Sequence, residues 1–268
     1  MTSSTGWPDE SNASADVRMI TLSNNKGGSG KTTTTVSLAA ALAELGLRIL
    51  VIDLDPQGSA TMWLGGRESS TGLVEFSKGG IRISELVRTS TARGVDLVPT
   101  SPSLVPSGDG SENETGLAII RAFRQLPDYW DLVLIDTPPT LGYLSLAPLV
   151  VSDHIVVPVE AHALAMPGVV TVIASIERAR RRVNPPVELL GIVACRVNST
   201  SHVRDVVAQL RAQFGNKVFE HTVREAIRIA EAPAFRLPIT RYAPTSPVAS
   251  DYRAIAVELL GRLGDLNS

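Results

Sequence analysis

Two lysines and a threonine set among glycines carry the first recognisable chemistry of this chain. Residues Asn24–Asn25–Lys26–Gly27–Gly28–Ser29–Gly30–Lys31–Thr32–Thr33 lie between the apolar run Met19–Ile20–Thr21–Leu22 and a stretch from Val36 to Leu45 rich in alanine. A strand should turn into a helix there. Glycines at such a junction let the backbone curl around an anion without Cβ clashes, successive N–H groups point at its oxygens, and the helix adds the positive end of its dipole. Lys31 is then placed to reach β- and γ-phosphates, and the Thr32 hydroxyl to ligate Mg²⁺. The strict pattern G-x-x-x-x-G-K-[ST] fails at its first position, which holds Asn25, and a second lysine, Lys26, follows. A plain glycine-rich turn would account for the glycines but not for Gly30–Lys31–Thr32 at the strand-to-helix junction.

Two strand ends add carboxylates. Arg48 to Leu54 is a continuous apolar run of the kind buried on both faces of a parallel sheet, and it runs into Asp53–Leu54–Asp55–Pro56–Gln57–Gly58. Asp131 to Asp136 is a second such run, followed by Thr137–Pro138–Pro139. Carboxylates just beyond the carboxyl ends of buried strands face the crevice where open α/β sheets bind ligands. An aspartate in that place suits Mg²⁺, which keeps its waters and needs a carboxylate to hold them. The alternative for Asp55–Pro56 is a simple turn or helix cap.

The elements that must position these groups follow from periodicity and punctuation. Thr33 to Leu45 reads as a helix stopped at Gly46, and strands are expected over Gly94–Pro99, Asp153–Val159 and Glu188–Val197. Further helices are expected over Leu117–Leu126, Pro167–Val183, His202–Phe214 and Val248–Leu263, with a Ser/Pro/Gly-rich loop from Ser101 to Gly116. This alternation predicts a single-domain α/β protein over residues 17–268, a mostly parallel twisted sheet with helices on both faces, preceded by a disordered polar tail over residues 1–16.

Composition narrows the function classes. Among 268 residues, 44% are hydrophobic, yet no apolar run approaches the roughly 18 residues of a membrane span. The single cysteine, Cys195, lies in an apolar run, so it reads as an inert buried thiol and excludes both a disulfide framework and a CxxC cluster site. No positive segment followed by an apolar one opens the chain, which points to the cytoplasm. Residues 1–169 hold 11 Lys/Arg against 18 Asp/Glu, whereas residues 170–268 hold 14 against 9. The basic half is a candidate polyanion surface, although Arg178, Arg180, Arg181 and Arg182 would equally suit a solvated helix end.

With Lys26–Gly27–Gly28–Ser29–Gly30–Lys31–Thr32, Asp53–Leu54–Asp55–Pro56–Gln57 and Ile135–Asp136–Thr137–Pro138–Pro139 in this order, the chain closely resembles the ParA/Soj partition ATPases over roughly residues 17 to 263. That family belongs to the deviant Walker A group, with MinD and the nitrogenase iron protein as more distant relatives. The resemblance explains the failed pattern, because it implies that Lys26 crosses a homodimer interface to the phosphates of the partner's ATP. It implies catalytic roles for Lys26, Lys31 and Asp55, the last positioning the attacking water. It implies nucleotide contacts from Lys26, Gly27, Gly28, Ser29, Gly30, Lys31, Thr32 and Thr33, and Mg²⁺ contacts from Thr32, Asp53 and Asp136. Asn198 falls where relatives place an adenine-contacting side chain, and is equally suited to a turn with Ser199 and Thr200.

The resemblance further implies slow ATP hydrolysis, a non-specific DNA surface and a ParB-like partner, with the protein at the nucleoid. Family arginines are not matched position for position, so Arg204, Arg224 and Arg228 are the candidate DNA contacts. The same ATPase engine could position another cargo, such as a protein microcompartment or a chemoreceptor cluster. A MinD-like membrane association needs a basic amphipathic C-terminal helix, and Glu258 to Ser268 offers only Arg262. A nitrogenase-like redox role needs cluster cysteines that this chain lacks.

Overall fold

The computed structural model describes residues 18–106, 111–140, 142–162, 165–183 and 186–265. Seven strands, β1 Arg18–Leu22, β2 Ile49–Asp53, β3 Arg88–Thr89, β4 Val95–Val98, β5 Leu132–Asp136, β6 His154–Glu160 and β7 Glu188–Cys195, form one sheet in the order β3-β4-β2-β5-β1-β6-β7. All neighbours are parallel except β3, which pairs antiparallel with β4. The helices of nine residues or more are α1 Lys31–Glu44, α2 Glu112–Arg124, α3 Tyr143–Val151, α4 Ala165–Val183, α5 Ser201–Phe214 and α6 Pro247–Asp265.

Strand alternation divides the core. Ile49, Val51, Leu132 and Leu134 face α1 and α6, where Leu38, Leu42, Tyr252, Ile255 and Leu259 are buried against them. Leu50, Ile52, Val133 and Ile135 face the other way, toward Ile119 and Phe123 of α2 and Leu144 of α3. Ile155, Val157 and Ile192 continue that second layer against Val169 and Val172 of α4 and Val203 and Leu210 of α5. Each such side chain contributes about 1.5–3 kcal/mol on burial, and β2 and β5, buried along their whole length, carry no polar residue until their ends. Asp53 and Asp136 stand at those ends.

The two sheet edges are protected in different ways. On the β7 side, Phe219 and Val223 donate backbone N–H groups to the carbonyls of Ile192 and Ala194 at 2.9 Å each. Gly191 permits this, since a Cβ there would strike the Phe219 ring. On the other side, β3 spans only Arg88 and Thr89, both exposed.

The α/β class, the mostly parallel sheet and the two helical layers match the expectation. The expected loop over residues 101–116 is corrected: Pro102–Leu104 makes a 3₁₀ turn, and α2 starts at Glu112. Ser111 Oγ accepts the Glu114 N–H at 3.2 Å while the Glu114 carboxylate accepts the Ser111 N–H, a capping box that overrides the loop-like composition. Helix α3 was not expected, because Pro148 lies inside it and its apolar residues lack helical periodicity. The proposed tail, residues 1–16, and residues 107–110 and 184–185 lie outside the described residues.

Candidate functional site

The carboxyl ends of β1, β2 and β5 lie side by side, with Leu22 and Asp53 both in register with Asp136. The phosphate loop leaves β1 and crosses this crevice into α1. Asn24 fixes its start: its amide donates to the Pro158 carbonyl at 2.8 Å, and its Oδ1 accepts the Lys26 N–H at 3.0 Å. Gly28 and Gly30 have φ of 76° and 92°, left-handed values that favour glycine. At Gly30 a Cβ would also press on Cys195 Sγ. Among the described residues the buried Ser29 hydroxyl finds no hydrogen-bond partner, and the same holds for Asn25 Nδ2. Polar groups left this way beside a helix N-terminus suit an anionic ligand.

Lys31 opens α1 with only 6% of its surface exposed. Its Nζ donates to the Lys26 carbonyl at 3.3 Å. Burial lowers its pKa, and the charges of Asp136 and Asp55 work against that shift. Lys26 is exposed, and its Nζ contacts Nε2 of His162. The two lysines of one loop are thus directed differently, one into the crevice and one to its rim.

Asp136 is fully buried, and accepts from Thr32 Oγ1 at 2.7 Å and from Thr35 Oγ1 at 3.1 Å. Burial, with Asp53 adding repulsion, raises its pKa to about 7. Asp53 is raised to about 6, also chiefly by burial, against the hydrogen bonds it receives. Those bonds occupy both its oxygens: Oδ1 accepts the Asp55 N–H at 3.1 Å, and Oδ2 accepts Thr61 N–H and Oγ1–H at 2.7 Å each. Asp53 therefore organises the turn that presents Asp55, whereas Asp136 is the carboxylate that meets Thr32. Asp55 lies at the edge of the crevice, with Oδ1 accepting the Gln57 N–H at 2.9 Å. A hydroxyl against a buried carboxylate with a raised pKa is a donor set that could take Mg²⁺, whose charge would favour the ionised aspartate.

A cleft of about 640 Å³ opens over the loop, lined by Gly27 to Thr33, Asp55, Trp63, Cys195, Arg196, the segment Val223–Ile227, Pro233 and Tyr252. Its size suits a nucleotide.

Residues 17–189 match the family model of an AAA domain. The chromosome-partitioning ATPase Soj of Thermus thermophilus is 43% identical over 251 residues, covering 93% of this chain and 98% of that protein. The chromosome partitioning protein ParA of Caulobacter vibrioides is 32% identical, over 93% and 96% of the two chains. This chain belongs to the ParA/Soj family of partition ATPases. Among solved structures, cobyrinic acid a,c-diamide synthase from Mycobacterium smegmatis with a bound ATP analogue and magnesium superposes with a TM-score of 0.75 at 29% identity, over 93% of this chain and 96% of that one. The residues of this ParA/Soj site, a buried lysine at the start of α1 and a hydroxyl set against a buried carboxylate, fit a phosphate group and a divalent cation.

The remaining residues of the expected site take different places in this ATPase. Asn198 is not in the cleft wall; it donates to Glu225 at 3.1 Å and accepts from Thr200 N–H and Oγ1 at 3.2 and 2.7 Å, so it builds a turn. Arg224 is in that wall and is forked onto Asp251, with Nε and Nη2 each 2.7 Å from a carboxylate oxygen. Arg204 is exposed on α5, and Arg228 lies beside Tyr242. Cys195 is buried beside the phosphate loop with its thiol pushed up to about 11, the inert form expected of it.

Thr35, Thr61, Arg196 and His162 were not anticipated. Thr35 could have been found from its place one helical turn after Lys31, on the same face. His162 follows the carboxyl end of β6, where ligand-facing residues gather.

Proposed function

We propose that this ATPase is an ATP-gated DNA-binding switch that partitions chromosome or plasmid DNA. Two copies close on ATP, the dimer binds nucleoid DNA without sequence preference, and a ParB-like protein stimulates slow hydrolysis and release in the cytoplasm. The single observation that carries this reading is the division between the loop lysines: Lys31 is buried in its own crevice while Lys26 stands exposed at the rim. A charge displayed there is available to a nucleotide held by another copy, where it would stabilise the negative charge of phosphoryl transfer.

Within one site, Lys31 holds the β/γ end of ATP, the N–H groups from Gly27 to Thr33 cradle the phosphates, and Asp55 orients the attacking water from the crevice edge. Thr32 and Asp136 would hold Mg²⁺, which when bound neutralises charge on the phosphoryl oxygens. DNA is held by exposed arginines such as Arg204 through phosphate contacts. The membrane alternative gains no support from α6: Arg262 turns inward to Glu258 and the Val218 carbonyl, at 2.8 and 3.0 Å.

DNA binding measured with ATP, with ADP and without nucleotide across a salt series tests the switch. ATP alone should give tight, salt-sensitive binding, and Lys26→Ala should lose both that binding and ATP-dependent dimerisation in light scattering. DNA affinity indifferent to nucleotide would overturn the switch, and wild-type dimerisation by Lys26→Ala would remove the cross-dimer role.

A further inference from the structure

The indole of Trp63 joins two segments that line the nucleotide cleft. Trp63 closes the short helix Ser59–Trp63, which follows the turn that presents Asp55, and it lines the cleft together with Asp55 and Ser59. Its side chain is buried, and its Nε1 donates to the Leu237 carbonyl at 2.7 Å, across 174 residues of chain. Leu237 comes shortly after the 3₁₀ turn Ala232–Phe235, whose Pro233 also lines the cleft. Between them Arg236 has φ of 56°, a left-handed value in which a residue with a side chain is strained. The Arg236 carbonyl accepts Thr91 Oγ1 at 2.6 Å, and the Thr91 N–H donates to the carbonyl of Leu64, the residue after Trp63, at 3.0 Å. Two successive carbonyls, those of Arg236 and Leu237, are thus tied to the stretch that ends the Asp55 region. Asp53 grips the short helix at Thr61, and the indole grips its end.

We propose that Trp63 is a positioning residue for hydrolysis: its indole N–H locks the helix behind Asp55 to the segment around Leu237 and so fixes where Asp55 stands relative to bound ATP. The proposal rests on the role of Asp55 in orienting the attacking water. A helix of five residues held only at Thr61 is free to pivot, and a second anchor at its end removes that freedom. A misplacement of about 1 Å can cost on the order of 10²-fold in rate, so a bond remote from the phosphates is read in turnover. The phosphates themselves are held by the loop between β1 and α1, which the indole bond does not join. Losing the bond therefore acts on kcat more than on KM, the mark of an interaction that counts in the transition state. A tryptophan that only packed the core would change stability and leave turnover per folded molecule as it was. Trp130 is the internal control, since it is buried, donates its indole N–H to Asp96 at 2.9 Å and does not line the cleft.

The test is steady-state ATP turnover of the full chain with Mg²⁺, for wild type, Trp63→Phe, Thr91→Val, Trp130→Phe and Asp55→Ala. Phenylalanine keeps an aromatic ring at position 63 and removes the donor. A net hydrogen bond is worth about two- to tenfold, so Trp63→Phe should lower kcat by about that factor, with KM for ATP changed less than kcat. Thr91→Val removes the neighbouring tie to Arg236 and should lower kcat in the same direction, while Trp130→Phe should keep the wild-type kcat. A wild-type kcat in Trp63→Phe, a rise in KM alone, or an equal loss of kcat in Trp130→Phe overturns the proposal. Should Trp63→Phe fail to fold, Thr91→Val decides at its exposed position, and a wild-type kcat there overturns the proposal as well. Asp55→Ala separates the two readings: if it turns over ATP like wild type, the role of Asp55 itself has failed; if it is inactive while Trp63→Phe keeps the wild-type kcat, only the positioning role of Trp63 has.

Discussion

Asp136 is where burial and chemistry meet most directly in this molecule. Its carboxyl is fully enclosed, held by Thr32 and Thr35, and raised to about 7 by burial and by Asp53. A carboxyl whose folded pKa lies above the unfolded value of about 4 contributes stability that is complete below that value and is lost as pH rises through the folded one. The protein free of Mg²⁺ should therefore show a falling urea midpoint between pH 5 and 8, and Asp136→Asn should flatten that dependence while losing Mg²⁺-dependent ATP turnover. Asp55 makes the complementary case, since Asp53 accepts its N–H and its own Oδ1 accepts from Gln57, fixing a turn that presents it to the cleft it lines. Asp55→Ala should bind ATP and remain trapped as a DNA-competent dimer; turnover at the wild-type rate would remove Asp55 from the mechanism. These residues were legible in the sequence because phosphate and Mg²⁺ chemistry demands particular residue types at strand ends. His162 was not, because its partner Lys26 is 136 residues away and only folding brings them together, and Thr61 was not, because the turn that returns it to Asp53, eight residues back, carries no pattern of its own.

At the scale of elements, continuous apolar runs marked β2 and β5 without ambiguity, since a strand buried on both faces leaves few alternatives. Sequence alone starts α2 at Leu117, because Ser, Pro and Gly upstream suggest a loop, although Ser111 and Glu114 carry a capping signature. Ser111→Ala should lower stability by about 0.5–2 kcal/mol, read from the urea midpoint, because the exposed Glu114 N–H loses its acceptor. A smaller change would mean that the packing of Ile119 and Phe123 against the sheet fixes the helix start unaided. Helix α3 shows the opposite limit: Pro148 forbids a local prediction, and tertiary packing of Leu144 and Leu149 supplies what the local sequence lacks.

For the whole molecule, the charge asymmetry along the chain does not assign DNA contacts by itself, since the arginines of the basic half do different work. Arg204 stands exposed on α5, whereas Arg224 is neutralised by Asp251 in the wall of the cleft. Arg204→Ala should reduce the slope of log affinity for DNA against log salt by about 1, while Arg224→Ala should leave that slope unchanged and weaken nucleotide binding. The reverse assignment would place the DNA surface around the cleft. The sheet edges carry a different consequence. Under the proposed function, copies gather on DNA at high local density, where an open strand would template β-aggregation between neighbours. With residues 219–223 hydrogen-bonded along β7 and β3 reduced to two exposed residues, neither margin of the sheet offers a long ladder to extend. Crowding can then rise and fall with nucleotide alone, without seeding a deposit that ATP hydrolysis could not dissolve.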